Sequence, residues 1–451
     1  QKLSFQQKEE ILQLGLALCE AGVSIMNTGI GWHEAQIPTI ATKVPRAAFT
    51  WVTAKFRDQL PVPVVTSNRI NTPEVAEDIL SRGDADMVSM ARPLLADAEF
   101  VIKAEQNRAD EINTCIACNQ ACLDHVFNGQ LTSCLVNPRA CYELDLNIEV
   151  SETKKNIAVI GAGPAGLAAA VTAAQRGHNV SLFDSAETIG GQFNLAKRIP
   201  GKEEFNETIR YFQRQLEIHN IDVKLGQRVT TQQLNESNFD EVMIATGIAP
   251  RTPEIDGIDH PSVVSYIDVI SGKIELGKKV AVIGAGGIGF DVAEYLSHAG
   301  EASSQNIPAF MKEWGIDMTM ESRGGIEGIE AEVKPSPRDI YLLQRKAEKL
   351  GKNLGKTTGW IHRLGLMKRG IKMISGCEYQ LIDDRGLQLM AGNEPKTLEV
   401  DHIVICAGQE PLRELCEGLE KPFHLIGGAD VASELDAKRA IDQGTRLTAT
   451  L

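Results

Sequence analysis

Two stretches of the same form constrain this chain more than anything else in it. The first is IAVIGAGPAGLAAAVTAAQRGHNVSLFD, from Ile157 to Asp184. The second is KKVAVIGAGGIGFDVAEYLSHAG, from Lys278 to Gly300. Each reads as a buried strand, a glycine turn and a helix, and the first runs on into a second strand that ends at Asp184. Gly161, Gly163 and Gly166 give G-x-G-x-x-G, and Gly284, Gly286 and Gly289 repeat it 123 positions later. The first glycine permits the tight turn, the second lets backbone approach a pyrophosphate, and the third lets helix and strand pack closely. The helix N-terminus then faces the phosphate charge. Asp184, 23 residues after Gly161, falls where a carboxylate meets a ribose hydroxyl. One such turn alone is weak. Recurrence in strand–helix context predicts two dinucleotide sites rather than one chance match.

The second turn has a delayed sequel. A segment rich in Gly, Ser and Glu fills 298–337 before the next strand, DIYLLQRKAEK at 339–349. Arg345 and Lys346 stand at its end, where an NAD site carries an acidic residue. Basic side chains there suit the 2′-phosphate of NADP. The plainer alternative is a solvated strand end. EVMIATGIAPRTP (241–253) and DHIVICAGQEP (401–411) read as the strands by which the chain leaves and re-enters the first unit. That predicts an FAD-type domain over 151–255 and 400–451, with an NADP-type domain inserted over 256–399. Asp430 ends a further strand near the C-terminus.

Residues 1–108 alternate helix and strand: helices near 6–21, 46–58 and 73–82, and strands near 23–29, 62–68 and 85–91. Short loops between them imply parallel strands. Polar residues cluster at the strand ends, which in a βα barrel form the active-site face. Arg69 and Arg92 follow two consecutive strands, as a phosphate site requires, although surface arginines capping helices would look the same. The reading is the C-terminal part of a (β/α)8 barrel. The chain lacks an initiator Met, so a fragment of a longer protein is expected.

Between these units lies CIACNQACLDHVFNGQLTSC, holding Cys115, Cys118, Cys122 and Cys134. Zinc ligands usually come as two close pairs, whereas here Cys134 stands apart. Iron–sulfur clusters take four thiolates, often three together and one distant. Zinc and four buried structural cysteines stay open as alternatives to a [4Fe-4S] cluster in a segment over 109–150. Nine cysteines in all, mostly scattered through apolar stretches, suit a reducing cytoplasm better than a disulfide framework. A net charge of −14 disfavours nucleic acid. No apolar run reaches the length of a membrane span, and no signal-peptide pattern opens the chain.

The combination resembles the flavin–iron–sulfur reductases of the Old Yellow Enzyme group, which includes trimethylamine dehydrogenase and 2-enoate reductase. NTGIGWHEAQIPTIATKVPRAAF, GDADMVSMARPLLADAE, GGQFNLAKRIPGKEEF, LGKTTGWIHR and IGGADVASELDAKRAIDQGTRL are most similar to the bacterial NADPH-dependent 2,4-dienoyl-CoA reductases of that family. The resemblance covers essentially all 451 residues and lacks the first strands of the family's barrel. It implies an α/β fold and electrons passing from NADPH to FAD, to a [4Fe-4S] cluster, to FMN and to a 2,4-dienoyl-CoA in β-oxidation of unsaturated fatty acids. Cys115, Cys118, Cys122 and Cys134 match the cluster ligands. His33 matches the catalytic histidine that polarises the thioester, while the family's proton-donating tyrosine has no counterpart here. Arg69, Ala91 and Arg92 match positions around the FMN phosphate. Gly161, Gly163, Gly166, Asp184, Gln192, Arg198 and Asp430 fall where the family holds FAD. Gly284, Gly286, Gly289, Arg345 and Lys346 are assigned to NADPH. The complete protein is expected to be a cytoplasmic monomer acting on a small molecule. Expressed alone, this chain is expected to keep FAD, oxidise NADPH with artificial acceptors and hold little FMN. Competing readings are another enoate or amine oxidoreductase of the family, and an NADPH–FAD electron-transfer module for a protein partner.

Overall fold

A computed structural model describes residues 8–31, 36–433 and 436–451. The N-terminal unit is a parallel three-stranded sheet of Met26–Asn27 (β1), Val64–Thr66 (β2) and Met87–Val88 (β3), in the order β1-β2-β3. Helices follow each strand, and the one at Pro73–Ser81 shows why. Thr72 accepts a hydrogen bond from the Val75 amide, Pro73 opens the helix, and Ala76 and Ile79 turn inward. A side-chain cap and a proline at the first position are standard helix starts.

Two larger parallel sheets carry the rest. The first holds Asn156–Ile160 (β4), Asn179–Phe183 (β5), Asp222–Lys224 (β6), Glu241–Ile244 (β7) and Phe423–Leu425 (β18), in the order β18-β7-β4-β5-β6. The helix Pro164–Gln175 is buried along almost its whole length. Its alanines let it lie between the sheet and the C-terminal helix Ala437–Thr448. Gly444 makes that approach feasible, because a Cβ there would stand 2.3 Å from the Ala165 carbonyl oxygen.

The second sheet holds Val263–Ser265 (β9), Lys279–Ile283 (β10), Asp339–Leu343 (β11), Lys372–Ile374 (β12) and His402–Ile405 (β16), in the order β12-β11-β10-β16-β9. This corrects one expectation. The strand at 401–411 does not re-enter the first sheet, because β16 pairs with β10. The chain returns through β18, beside β7. A short antiparallel pair, Ile248–Pro250 (β8) with Gln409–Pro411 (β17), forms where the chain crosses between the sheets. Three antiparallel strands, Cys377–Asp383 (β13), Gly386–Ala391 (β14) and Glu394–Leu398 (β15), cover one face of the second sheet.

The 298–337 segment folds back on the N-terminal unit through the helix Ile307–Trp314. Phe310 meets Phe49 edge-on at 6.4 Å between ring centroids, and Trp314 meets Trp360 at 6.1 Å. Among the described residues no helix is long and apolar enough to cross a membrane.

Candidate functional site

The two glycine turns are built alike. Gly161 and Gly284 have φ of +113° and +108°, a region where L side chains are strained. A Cβ at Gly161 would lie 2.3 Å from the Ala245 carbonyl oxygen, and one at Gly284 would lie 2.4 Å from that of Cys406. A Cβ at Gly166 or Gly289 would collide with its own turn, 1.8 Å from the Gly161 carbonyl oxygen and 1.7 Å from that of Gly284. Gly163 and Gly286 differ, since nothing lies within 4 Å of where their Cβ would be. The open middle position is the cradle a pyrophosphate needs.

The register of the next strand separates the two sites. Ile160 pairs with Phe183, so Asp184 emerges beside the first turn. Its Oδ2 accepts from the Ala162 amide at 2.7 Å, and its Oδ1 from the Ala186 amide at 2.8 Å. Each oxygen retains a lone pair for a ribose hydroxyl. Ile283 pairs with Leu343 in the same way, so the counterpart of Asp184 is Gln344. Its Nε2 donates to the carbonyls of Lys346 and Glu348, folding the turn that presents Arg345 and Lys346 to solvent. No carboxylate occupies the position that would repel a 2′-phosphate. Alignment of the two repeats in the sequence was enough to find Gln344.

The other residues assigned to FAD lie apart in role. Gln192 precedes the helix Phe193–Ala196 and is exposed. Arg198 donates to the carbonyls of Ile270 and Ser271, at 3.2 and 2.7 Å, which ties it to the second nucleotide unit. Asp430 follows β18, and its Oδ2 accepts from Gln443, whose side chain also receives the Gly427 amide.

Cys115, Cys118, Cys122 and Cys134 wall one cavity, and all four are free thiols. Burial raises the Cys118 thiol, and the neighbouring cysteines raise it further. Burial and then Cys115 push Cys134 up to about 12. Such thiols stay protonated unless cations replace the protons. Among the described residues no three His, Cys, Asp or Glu side chains converge to hold one metal ion. Asp124 anchors the cysteine loop to the second nucleotide unit, its Oδ1 accepting from the amide and hydroxyl of Thr357 at 2.8 and 2.6 Å.

A cleft of about 400 Å³ adjoins this cavity, lined by the ends of β2 and β3. Arg69, Ala91 and Arg92 all line it, as do Ser67, Asn68 and Cys115. The two arginines are held differently. Arg69 is buried and ion-paired with Glu204 at 2.5 Å. Arg92 donates to Asn119 and to the Ile40 carbonyl. Arg46 and Asn71 also donate to Glu204, and Asn71 donates to the Cys115 carbonyl at 2.9 Å. Glu204 had no local mark in the sequence, because its partners lie more than 130 positions away. His33 lies outside the described residues. The segments flanking it, at Ile30 and Thr39, are both held by the Asn68 side chain.

Comparison with known proteins places these features in context. The family model for pyridine nucleotide-disulphide oxidoreductases matches residues 155–436. That for the NADH:flavin oxidoreductase / NADH oxidase family matches residues 4–111. A metal reductase of Desulforamulus reducens is 34% identical over 348 residues, 76% of this chain and 51% of that protein. A cinnamate reductase of Clostridium sporogenes is 30% identical over 301 residues, 65% of this chain and 44% of that protein. The solved structure of a 2-naphthoyl-CoA reductase bound to 2-naphthoyl-CoA superposes with a TM-score of 0.85 at 27% identity, over 98% of this chain and 62% of that one. This chain spans about half the length of the curated relatives it matches.

Proposed function

The chain belongs to the pyridine nucleotide-disulphide oxidoreductase family, and from that premise we propose that it is the NADPH-oxidising part of a flavin reductase acting on 2,4-dienoyl-CoA. The observation that carries this reading is a shared wall. Arg92 and Cys115 line both the thiol cavity and the cleft at the ends of β2 and β3. A one-electron relay in the thiol cavity and a flavin in the cleft would then stand back to back.

The first glycine turn with Asp184 would hold FAD, and the second with Arg345 and Lys346 would hold NADPH. The four cysteines would hold a [4Fe-4S] cluster, and the cleft an FMN. When bound, these groups would supply hydride acceptance, one-electron transfer and hydride delivery. The chain's own residues bind and orient. Gly163 and Gly286 leave room for pyrophosphate, Asp124 fixes the cysteine loop, and Asn68 fixes the segments on either side of His33. His33 is the proposed polarising residue for the thioester carbonyl.

The similarity to a 2-naphthoyl-CoA reductase supports an unsaturated CoA thioester as substrate. The metal and cinnamate reductases show how widely acceptors vary among relatives that share this part. We further propose that the complete protein works as a cytoplasmic monomer on this small molecule. The test is anaerobic NADPH oxidation by the complete protein, with dienoyl-CoA, cinnamate and dye acceptors in parallel. Turnover with dienoyl-CoA above the others supports the reading. Dye reduction without any thioester turnover would favour an electron-transfer module for another acceptor.

A further inference from the structure

The helix Gly287–Ser297 begins at the second glycine turn, so whatever holds this helix also holds the nucleotide cradle. Asp291 and Glu294 lie three positions apart, on one face of it. Each carboxylate meets a lysine from a different unit of the fold. Lys202, in the loop before the helix Phe205–Ile218, donates to Oδ2 of Asp291 at 2.6 Å. Lys43, from the N-terminal unit, stands 2.6 Å from Oε2 of Glu294, an ion pair outside hydrogen-bond geometry. The Glu294 side chain is 4% exposed and that of Lys43 16%. The stem of Lys43 crosses the loop that carries Lys202, where a Cβ on Gly201 would stand 2.5 Å from its Cγ. Burial first, and then Lys43 and Lys202, push His362 down to about 3, so its imidazole adds no charge. Burial also lowers His298, which stands 3.6 Å from Glu294. Two cations and two carboxylates thus close a balanced cluster where three units meet.

The chain crosses into and out of the second nucleotide unit through the β8–β17 pair. Units joined in this way move relative to one another unless their interface prevents it. Other ties fall elsewhere on the unit: Arg198 reaches Ile270 and Ser271, Asp124 reaches Thr357, and Glu203 reaches Ser304. Among the described residues, the ion pairs that reach the cradle's own helix from other units are those of Lys43 and Lys202. Reacting atoms must come within about 3–3.5 Å, and a misplacement of ~1 Å can cost about 10²-fold in rate. We propose that Lys43 and Lys202 are positioning residues for hydride transfer, holding the helix Gly287–Ser297 and its cradle in register with the first glycine turn. The role rests on reading the two turns as the FAD and NADPH sites. The hydride carries two electrons from NADPH, which leaves as NADP+, to the FAD, and neither lysine exchanges a proton or an electron.

The experiment is stopped-flow reduction of the FAD-replete chain by NADPH, which separates the limiting rate from nucleotide affinity, together with hydrogen exchange of the nucleotide-free protein. Lys202→Met leaves only the half-buried Asp291 unpaired. Lys43→Met is combined with Glu294→Gln, so that no buried charge is stranded, and either variant serves if the other fails to fold. Each should lower the limiting rate about tenfold. Affinity for NADP+, measured by calorimetry, should stay near that of wild type, because the cradle keeps its glycines. Backbone amides of the β8–β17 pair should exchange faster, while those of β10 and β11 stay as protected as before. Lys202→Arg, which keeps the charge, should recover most of the rate. An unchanged limiting rate in FAD-replete variants would overturn the positioning role. So would a slower rate with unchanged exchange at β8–β17, since the unit would not have moved. Faster exchange throughout β10 and β11 would overturn it too, because the lysines would then support the unit's folding rather than its placement. Wild-type FAD that neither NADPH nor NADH reduces would instead overturn the reading of the two sites, and this inference with it.

Discussion

Arg69 Nη2 stands 2.5 Å from Oε1 of Glu204, with the two side chains 2% and 6% exposed. The pair joins the end of β2 to the N-terminus of the helix Phe205–Ile218, across two units of the fold. Removing one partner of a buried pair strands the other charge, so Glu204→Ala should cost about 3–5 kcal/mol. Denaturant unfolding measures this. A loss no larger than that of an exposed ion pair would mean that water reaches Arg69.

The same pair sets a pH dependence. Burial pushes the Glu204 carboxyl up, but Arg69 and Arg46 outweigh it and bring it down to about 2, below the ordinary 4.5. A depressed carboxyl contributes stability that is complete above its unfolded value and is lost as pH falls through its folded value. The stability gap between wild type and Glu204→Gln should therefore be constant at neutral pH and close as pH falls from about 4.5 toward 2. A gap independent of pH over that window would contradict the assignment.

Open space at Gly163 and Gly286 separates binding from folding. Gly163→Val should leave the apo-protein's melting temperature within a few degrees and reduce FAD content at least tenfold, because the added side chain fills the pyrophosphate cradle. Gly286→Val should do the same to NADPH binding while FAD stays bound. Flavin extraction and nucleotide titration give the readout. Full FAD content in the Gly163 variant would place the flavin elsewhere.

Arg345 and Lys346 follow Gln344, the counterpart of Asp184. Charge-assisted hydrogen bonds contribute about 1.5–3 kcal/mol each, so replacing both residues with Asp and Ser should erode any NADPH preference at least tenfold. The ratio of NADPH to NADH rates in flavin reduction is the measure. An unchanged ratio would mean that the 2′-phosphate is read by other side chains.

Local patterns were legible in the sequence and long-range ones were not. The turns at Gly161 and Gly284 are short-range and chemically specific, and the structure keeps both as read. The cysteine spacing brought four residues to one cavity for the same reason. The strand at 402–405 was assigned to the wrong sheet because a strand buried on both faces reads as a plain apolar run. Nothing in HIVI says which sheet it joins. Glu204 escaped notice because its partners Arg46, Arg69 and Asn71 come from the other end of the chain. A glutamate in KEEF looks like any solvated helix start until the fold brings cations to it.

Stepwise anaerobic addition of NADPH to protein with counted FAD, iron and sulfide tests the central claim most directly. The account predicts that the flavin absorbance bleaches and that the paramagnetic signal of a reduced cluster rises with it, at far lower NADPH than NADH. Bound flavin that stays oxidised under excess NADPH would contradict it.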